Sequence, residues 1–340
     1  MKDTILILTS FADKSVDSVA EYLEKMEKKF FRFDTETFPK EAELKLTLKK
    51  GGLAGYIKIK TGELIEIEKI KSCWYRGVML PQKQDDIKDK YFRFIKEETK
   101  AALWSFYTNL NVFWMNHPLF GSRLLEANKL FQMSTASKIG LKVSDTIITN
   151  NPEELLFFCR KHNGEIAVKM ISGHVFSVAG SNKTFYIYTQ KIKEKELIKR
   201  TENIKLTPIL AQEYINKKIE LRVTIVNKKV FACAIYSQNS ERTRNDWRRY
   251  DFENVKHEKY NIPKEIEEKL LILMDIWKIS FGAIDLILTQ DDEYVFLEIN
   301  PHGQWGWIED LTDMPISLEI AKTLSNPPET GFIFDNLFKF

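Results

Sequence analysis

Cysteine is almost missing from this chain: three occur in 340 residues. Cys73, Cys159 and Cys233 lie too far apart for a Cys-x-x-Cys redox or zinc motif, and an odd count gives no disulfide framework. They read as small buried apolar residues. Five histidines are scattered, with neither an HExxH run nor paired zinc spacing, and no Ser-His-Asp order is legible. Zinc and serine hydrolases therefore fall behind. No apolar run approaches the ~18 residues that a membrane span needs. The opening run Ile5-Leu6-Ile7-Leu8 is a strand's length, too short for the core of a signal peptide. A reducing cytoplasm is the expected compartment. An excess of charge is lacking as well: 51 Lys and Arg against 48 Asp and Glu leave a net charge of +3. That balance makes no independent case for nucleic acid. GxxxxGK[ST] and GxGxxG are both absent, as are internal repeats and low-complexity segments.

What is present is ordinary for a globular protein, 44% hydrophobic and 29% charged, and long enough to divide into two or three lobes. Aromatics at 12% are rich enough to serve a core and a peptide groove. Residues 1–117 read as an α/β domain: a strand over 5–8, helical spacing at Val16, Val19, Ala20, Leu23 and Met26, and a strand from Phe30. Strands follow over 44–48, 56–59 and 64–67, then Ser72-Cys73-Trp74-Tyr75-Arg76-Gly77, whose arginine either caps the strand at the surface or, as expected here, reaches into a cleft. A long amphipathic helix over 86–108 completes this domain.

A central lobe is expected over 118–210. It begins with a helix over 126–139, ended by Gly140. A second helix starts at Asn151-Pro152 and runs to His162. The strand around Lys169 comes next, then a hairpin about Gly180-Ser181-Asn182-Lys183, then a basic, helical or irregular stretch over 191–200. A C-terminal lobe is expected over 211–325, with a hairpin about Asn227-Lys228 and helices over 263–278 and 315–324. Residues 326–340 read as a tail.

The most informative stretch is Gly282-Ala283-Ile284-Asp285-Leu286-Ile287-Leu288, followed across a polar turn by Tyr294-Val295-Phe296-Leu297-Glu298-Ile299-Asn300-Pro301. Carboxylates embedded in apolar strands are costly unless something offsets their desolvation. Glu298 and Asn300 are two apart and share a face of a strand, and Asp285 approaches from the neighbour. Three converging oxygen donors suit Mg²⁺, which shares its shell with water and phosphate. Ordinary surface acids are the competing explanation. The other candidates are each weak alone. Lys169 within Val168-Lys169-Met170 can snorkel to the surface or hold an anion. Ser172-Gly173-His174 can let backbone N–H groups approach phosphate. Gln212-Glu213-Tyr214-Ile215 is a plain strand end or a purine-edge partner. Glu220 and Arg222 make either a surface ion pair of small worth or a ribose and phosphate contact. Arg244, Arg248 and Arg249 belong to a solvated charge run or supply a fork for phosphate or carboxylate.

In chain order, Asn128-Lys129, Val168-Lys169 with its glycine loop, Gln212-Glu213-Tyr214-Ile215, Glu220-Leu221-Arg222, Asp285 and Leu297-Glu298-Ile299-Asn300-Pro301 resemble the ATP-grasp superfamily. The resemblance implies a three-lobed α/β (α+β) fold with the nucleotide between the central and C-terminal lobes. It implies ATP and Mg²⁺ as cofactors, and an ADP-forming ligase joining carboxylates to hydroxyls or amines. Lys129 and Lys169 would contact phosphates, Gln212, Glu213, Tyr214 and Ile215 would form the adenine hinge, and Glu220 would bind ribose. Asp285, Glu298 and Asn300 would hold the metal, and Arg222 and Arg248 would face the transferred phosphoryl group.

Three stretches narrow the resemblance to the microviridin-type peptide macrocyclases, also called graspetide or ω-ester peptide ligases. They are Cys73-Trp74-Tyr75-Arg76, the extension His302-Gly303-Gln304-Trp305, and the run from Asp310-Leu311-Thr312 through Pro315-Ile316 to Ile320-Ala321. The implied partner is a ribosomal precursor peptide, a leader plus a core bearing Ser/Thr and Asp/Glu. No nucleic acid or membrane partner is implied, and the resemblance leaves room for a homodimer. Arg76, Phe176, Phe185, Arg244 and His302 are the expected substrate-side residues. The stretch Trp74-Tyr75-Arg76-Gly77, where a second Arg or a Pro is expected, and His302 depart from the pattern and leave the acceptor chemistry open. The rival readings are a ligase that adds free amino acids to a carboxylate, and a non-catalytic peptide-binding module.

Overall fold

The computed structural model describes residues 2–50, 52–83, 87–126, 128–173, 175–177 and 184–328. The N-terminal strand Thr4–Thr9 lies between Phe30–Asp34 and Ile70–Tyr75, and Phe113–Met115 extends the sheet beyond the latter, all parallel. Parallel strands covered on both faces read as continuous apolar runs, and Ile5, Leu6, Ile7 and Leu8 are each fully buried. Leu6 and Leu8 pack with Leu103 and Phe106 of the helix Asp89–Asn109. Ile5 and Ile7 pack on the opposite side with Val16, Val19 and Leu23 of the helix Ser15–Lys25. A separate antiparallel ribbon joins Ala42–Lys49, Gly52–Ile59 and Leu64–Glu66.

A second, antiparallel sheet runs Gln190–Lys193, Glu165–Lys169, Ile209–Glu213, Thr146–Thr149. The helix Pro152–Lys161 covers it, burying Leu155, Phe158 and Cys159 against Ile166 and Ala211. Its start is set as the sequence suggests: Asn151 caps the Glu153 N–H at 2.9 Å and Pro152 occupies the first turn. Over 191–200 the expected helical or irregular stretch resolves into the strand Gln190–Lys193 and the short helix Glu194–Ile198. The strands Val175–Ser177 and Thr184–Tyr186 pair antiparallel. The turn expected at Gly180-Ser181-Asn182-Lys183, together with His174, lies outside the described residues, as does the tail beyond Pro328.

The third sheet has six strands in the order His257–Lys259, Lys229–Ile235, Lys217–Val226, Phe281–Thr289, Tyr294–Asn300, Lys142–Val143. The helix Lys264–Trp277 buries Leu270, Leu273, Met274 and Trp277 against its apolar face; truncating such a leucine to alanine costs about 2–5 kcal/mol. The short strand Lys142–Val143 joins this sheet at its edge, so the sheets do not partition strictly in chain order. Two helices follow the last long strand. Gly306–Thr312 was not expected from the sequence. Ile316–Ser325 was, and it packs against Ser15–Lys25 of the N-terminal domain. Ser72 Oγ there donates to the Leu324 carbonyl at 2.8 Å, and Lys71 Nζ to that of Ser325 at 2.7 Å.

Candidate active site

The third sheet presents its polar face to the second, and two β-bulges decide what that face carries. Lys217 pairs with Thr289 but Ile219 with Leu288, leaving Lys218 as the extra residue. Leu286 pairs with Phe296 but Asp285 with Glu298, leaving Leu297 as the extra residue. Each bulge reverses the alternation of side chains. Phe296 therefore sits in the apolar core, fully buried, while Glu298, two residues on, turns to the cleft. Arg222, Asp285 and Glu298 line up across three neighbouring strands. Asn300 lies two pairs further along Glu298's strand, opposite Ala283, and is exposed. Its amide oxygen accepts the His302 N–H at 2.8 Å.

Basic groups from four elements converge on this row. Arg222 Nη1 donates to Asp285 at 3.0 Å. Lys129, at the start of the helix Lys129–Lys138, lies 2.9 Å from Glu298 Oε2. Arg248 Nη1 donates to Glu298 Oε1 at 3.1 Å while its Nε and Nη2 fork onto the two oxygens of Asp246, each at 2.9 Å. Lys169 ends the strand Glu165–Lys169 of the second sheet. Burial pushes its ammonium down to about 8, the Glu298 carboxylate opposes that shift, and Lys129 and Arg248 add to it. Burial works to raise Glu298, but Lys129, Arg248 and Lys169 outweigh it and hold the carboxyl far below its usual range. Asp285 moves the other way: burial raises it, Glu298 adds to the rise, and Arg222 only partly opposes it. Burial would likewise raise Asp246, yet Arg248 brings it down to about 2.

Two connected cavities meet at Lys169, Arg248, Asp285 and Glu298. One, enclosing about 560 Å³ of space that opens to solvent, lies between the sheets and is walled by Ala167, Gln212, Glu213, Tyr214 and Ile215 on one side and Ile287 and Leu297 on the other. At its end Glu220 Oε1 accepts from Lys217 Nζ at 2.9 Å, and Oε2 is buried without a hydrogen-bond partner. The Gln212 side chain is held by the protein: its amide nitrogen donates to Ser144 Oγ at 2.9 Å and Thr146 Oγ1 at 3.0 Å. Tyr214 O–H is 3.0 Å from Asn245 Oδ1. The other cavity is a groove of about 1820 Å³ that carries Lys129, Ser172, Gly173, Arg222, Tyr250 and Asn300 on its walls.

The substrate-side expectations fare differently. Arg76 does not enter the cleft. It is 2% exposed, its Nε donates to Asp13 Oδ2 at 2.9 Å, and its guanidinium stacks on Trp305 at 4.6 Å. A buried arginine requires such partners, and the loop after Asn300 supplies the rest: Arg76 Nη1 donates to the carbonyls of His302 and Gly303. His302 lies against Tyr75, with its Nε2 3.7 Å from Glu126; burial, followed by Arg76, lowers its pKa to about 3. Arg244 is exposed and lines neither cavity. Phe176 and Phe185 are cross-strand partners, and the Phe185 ring is half exposed.

Several contributors went unforeseen. The bulge after Lys217 folds that side chain back onto Glu220. Asp246 also caps its own segment, accepting the Arg248 N–H at 3.1 Å, and receives the Thr189 N–H at 2.8 Å. Gln132, one turn beyond Lys129, pins the outer edge of the Glu298 strand: its amide accepts the Ile299 N–H at 2.9 Å and donates to the Ile299 carbonyl at 3.1 Å. An Asn-Lys start with Gln three positions later was the available signal.

Residues 4–119 match the MvdD pre-ATP grasp domain and residues 126–324 the RimK-like ATP-grasp domain. Among solved structures, a Chryseobacterium gregarium RiPP-associated ATP-grasp ligase in complex with ADP and a leader and core peptide is 30% identical, with a TM-score of 0.86 over 96% of this chain and 97% of that one. The macrocyclase MdnC of Microcystis aeruginosa MRC, bound with precursor peptide MdnA, is 30% identical with a TM-score of 0.82, over 95% of this chain and 99% of that one. An uncharacterized protein of Mycoplasma genitalium, MG012, is 24% identical over 176 residues, 51% of this chain and 58% of that protein, so the match spans little more than half of that relative's length.

Proposed function

The chain belongs to the RimK-like ATP-grasp family, and on that footing we propose that it is an ATP-dependent peptide macrocyclase. ATP phosphorylates an Asp or Glu side chain of a precursor peptide, releasing ADP. A Ser or Thr hydroxyl, or a Lys amine, of the same peptide then attacks the acyl phosphate, closing an ester or amide ring and releasing phosphate. The observation that carries this reading is the charged row Arg222–Asp285–Glu298 at the junction of an apolar-walled cavity and a wide groove. The first would take the nucleotide and the second the peptide.

The residues suit the ligands. Among the described residues no three His, Cys, Asp or Glu side chains cluster as a metal cage. Two carboxylates and the Asn300 amide are instead what Mg²⁺ needs when phosphates complete its shell. When bound, Mg²⁺ would neutralise charge on the phosphate oxygens. Glu220, with one buried oxygen unpartnered, would accept a ribose hydroxyl, and the backbone of 212–215 would meet the adenine edge. Lys129 and Lys169 would hold phosphates. Arg222 and Arg248 would steady the transferred phosphoryl group, so that catalysis is chiefly positioning and electrostatics.

Incubation with ATP, Mg²⁺ and a Ser/Thr- and Asp/Glu-containing precursor peptide tests the proposal. Peptide-dependent ADP release with loss of one water per ring is the expected result. ADP release with a free amino acid added to a carboxylate would transfer the reading to an amino-acid ligase. No peptide-stimulated turnover would leave a binding module.

A further inference from the structure

The loop after Asn300 is held between two arginines that come from different domains. On one side Arg76, at the end of the strand Ile70–Tyr75, donates from Nη1 to the carbonyls of His302 and Gly303. On the other, Arg222 Nη2 donates to the next carbonyl, that of Gln304, at 3.3 Å. Three successive carbonyls are thus divided between them. Gly303 fits beneath the second arginine: a Cβ there would lie 2.6 Å from Arg222 Nη2 and 2.3 Å from the Ala283 Cβ. Trp305 closes the loop. Its ring lies under Arg76, and its Nε1 donates to Ser317 Oγ at 2.8 Å.

Arg76 is itself fixed. Asp13 takes its Nε, and the same carboxylate accepts the Ser15 N–H at 3.1 Å. A planar, forked guanidinium can hold an acid and two carbonyls at once, which a lysine cannot. Arg222 has less support of its own: Asp285, the Gln304 carbonyl and the face of Trp247 at 5.7 Å, with its Nε buried and unpartnered. Moving the Gln304 carbonyl would release Arg222 Nη2, and small displacements of such groups are expensive in rate.

We propose that Arg76 is a positioning residue for the reaction: through the His302 and Gly303 carbonyls, the N-terminal domain sets the loop that orients Arg222 beside Asp285. The proposal rests on the assignment of Arg222 to the phosphoryl-transfer step made above. It gives the N-terminal domain a part in catalysis that requires no contact with nucleotide or peptide.

The test compares Arg76→Gln, Arg76→Lys and Gly303→Ala with wild type, each checked for an unchanged circular dichroism spectrum. In all three, kcat for peptide-dependent ADP release should fall by ~10-fold or more, with KM for ATP within about twofold of wild type. Arg76→Gln should cost nothing further in an Arg222→Lys background, because it acts through that side chain. Full activity in the two Arg76 variants, a change confined to KM for ATP, or losses that multiply in the double variant would overturn it. Basal ADP release without peptide is followed in parallel and is expected to fall by a similar factor. A wild-type enzyme that ignores peptide would then sink the macrocyclase reading while leaving the Arg76 comparison readable.

Discussion

Asp285 and Glu298 face each other across paired strands, yet their surroundings push them in opposite directions. Glu298 has Lys129, Arg248 and Lys169 about it, while Asp285 has Arg222 and the charge of Glu298 itself. Without a nucleotide, then, Glu298 occupies the cations that would bind phosphate. In Glu298→Gln the amide no longer competes for Lys129 and Arg248. We expect ATP to bind more tightly than to wild type in the presence of a chelator, and peptide-dependent turnover with Mg²⁺ to fall by ~10²-fold or more. Calorimetry and ADP release check the two signs separately. Weaker binding in chelator would contradict the competition.

Lys169 gives a pH dependence. Its pKa, about 8 in the free protein, lies below that of an ordinary lysine because burial disfavours the ammonium. On the proposed role of Lys169, phosphate binding draws on the charged form, so affinity for ATP should be level below pH 7 and weaken above pH 8. The slope is at most ~tenfold per pH unit for one proton. Lys169→Arg, always charged, should flatten the profile between pH 7 and 9. Identical profiles for the two proteins would remove Lys169 from the phosphate site.

Glu220 invites a test by substrate trimming. If its buried oxygen accepts a ribose hydroxyl, deleting that hydroxyl and deleting the acid remove the same contact. Glu220→Gln should weaken ATP binding by ~10-fold, in the range for a hydrogen bond to a charged group. Wild type should lose a similar factor with a deoxyribose analogue. The variant should lose little more. Independent, multiplying losses would place the ribose elsewhere.

Phe185 tests the strand pair beside the groove. Its ring is half exposed on a paired strand near the groove residues Tyr186, Ile187 and Tyr188. Phe185→Ala should weaken leader-peptide binding by ~5-fold or more, as loss of an aromatic anchor does, with ATP affinity unchanged. Fluorescence anisotropy of a labelled leader reads the first and calorimetry the second. Equal leader affinity in both proteins would exclude Phe185.

Periodicity and motif order made much of the architecture legible. The helices at Ser15–Lys25, Pro152–Lys161 and Lys264–Trp277 follow apolar spacing and end signals. The carboxylates were legible because acids are out of place in apolar strands. The bulges were not. Phe296, Glu298 and Asn300 alternate in sequence as though they shared one face, and only the pairing with Phe281–Thr289 puts Phe296 in the core and Glu298 in the cleft. Register belongs to two strands, so one strand's alternation cannot reveal it. The place of Arg76 is illegible in the sequence for a related reason. Besides Asp13 and Trp305, its partners include backbone carbonyls, one of them 226 residues away, and a carbonyl leaves no signature in residue type.

Gln132 fastens the helix bearing Lys129 to Ile299. Lys129 therefore belongs mechanically to the sheet of Glu298, whereas Lys169 belongs to the sheet of Ile209–Glu213. A phosphate chain gripped by both lysines is a tether between two bodies, stronger the nearer they stand. Triphosphate and diphosphate should then favour different separations of the sheets, because a ligand shifts a conformational equilibrium only by its unequal affinity for the two states. Loss of one phosphoryl group would be felt as slack in the tether, and the cleft would register the progress of the reaction as a change in its own width.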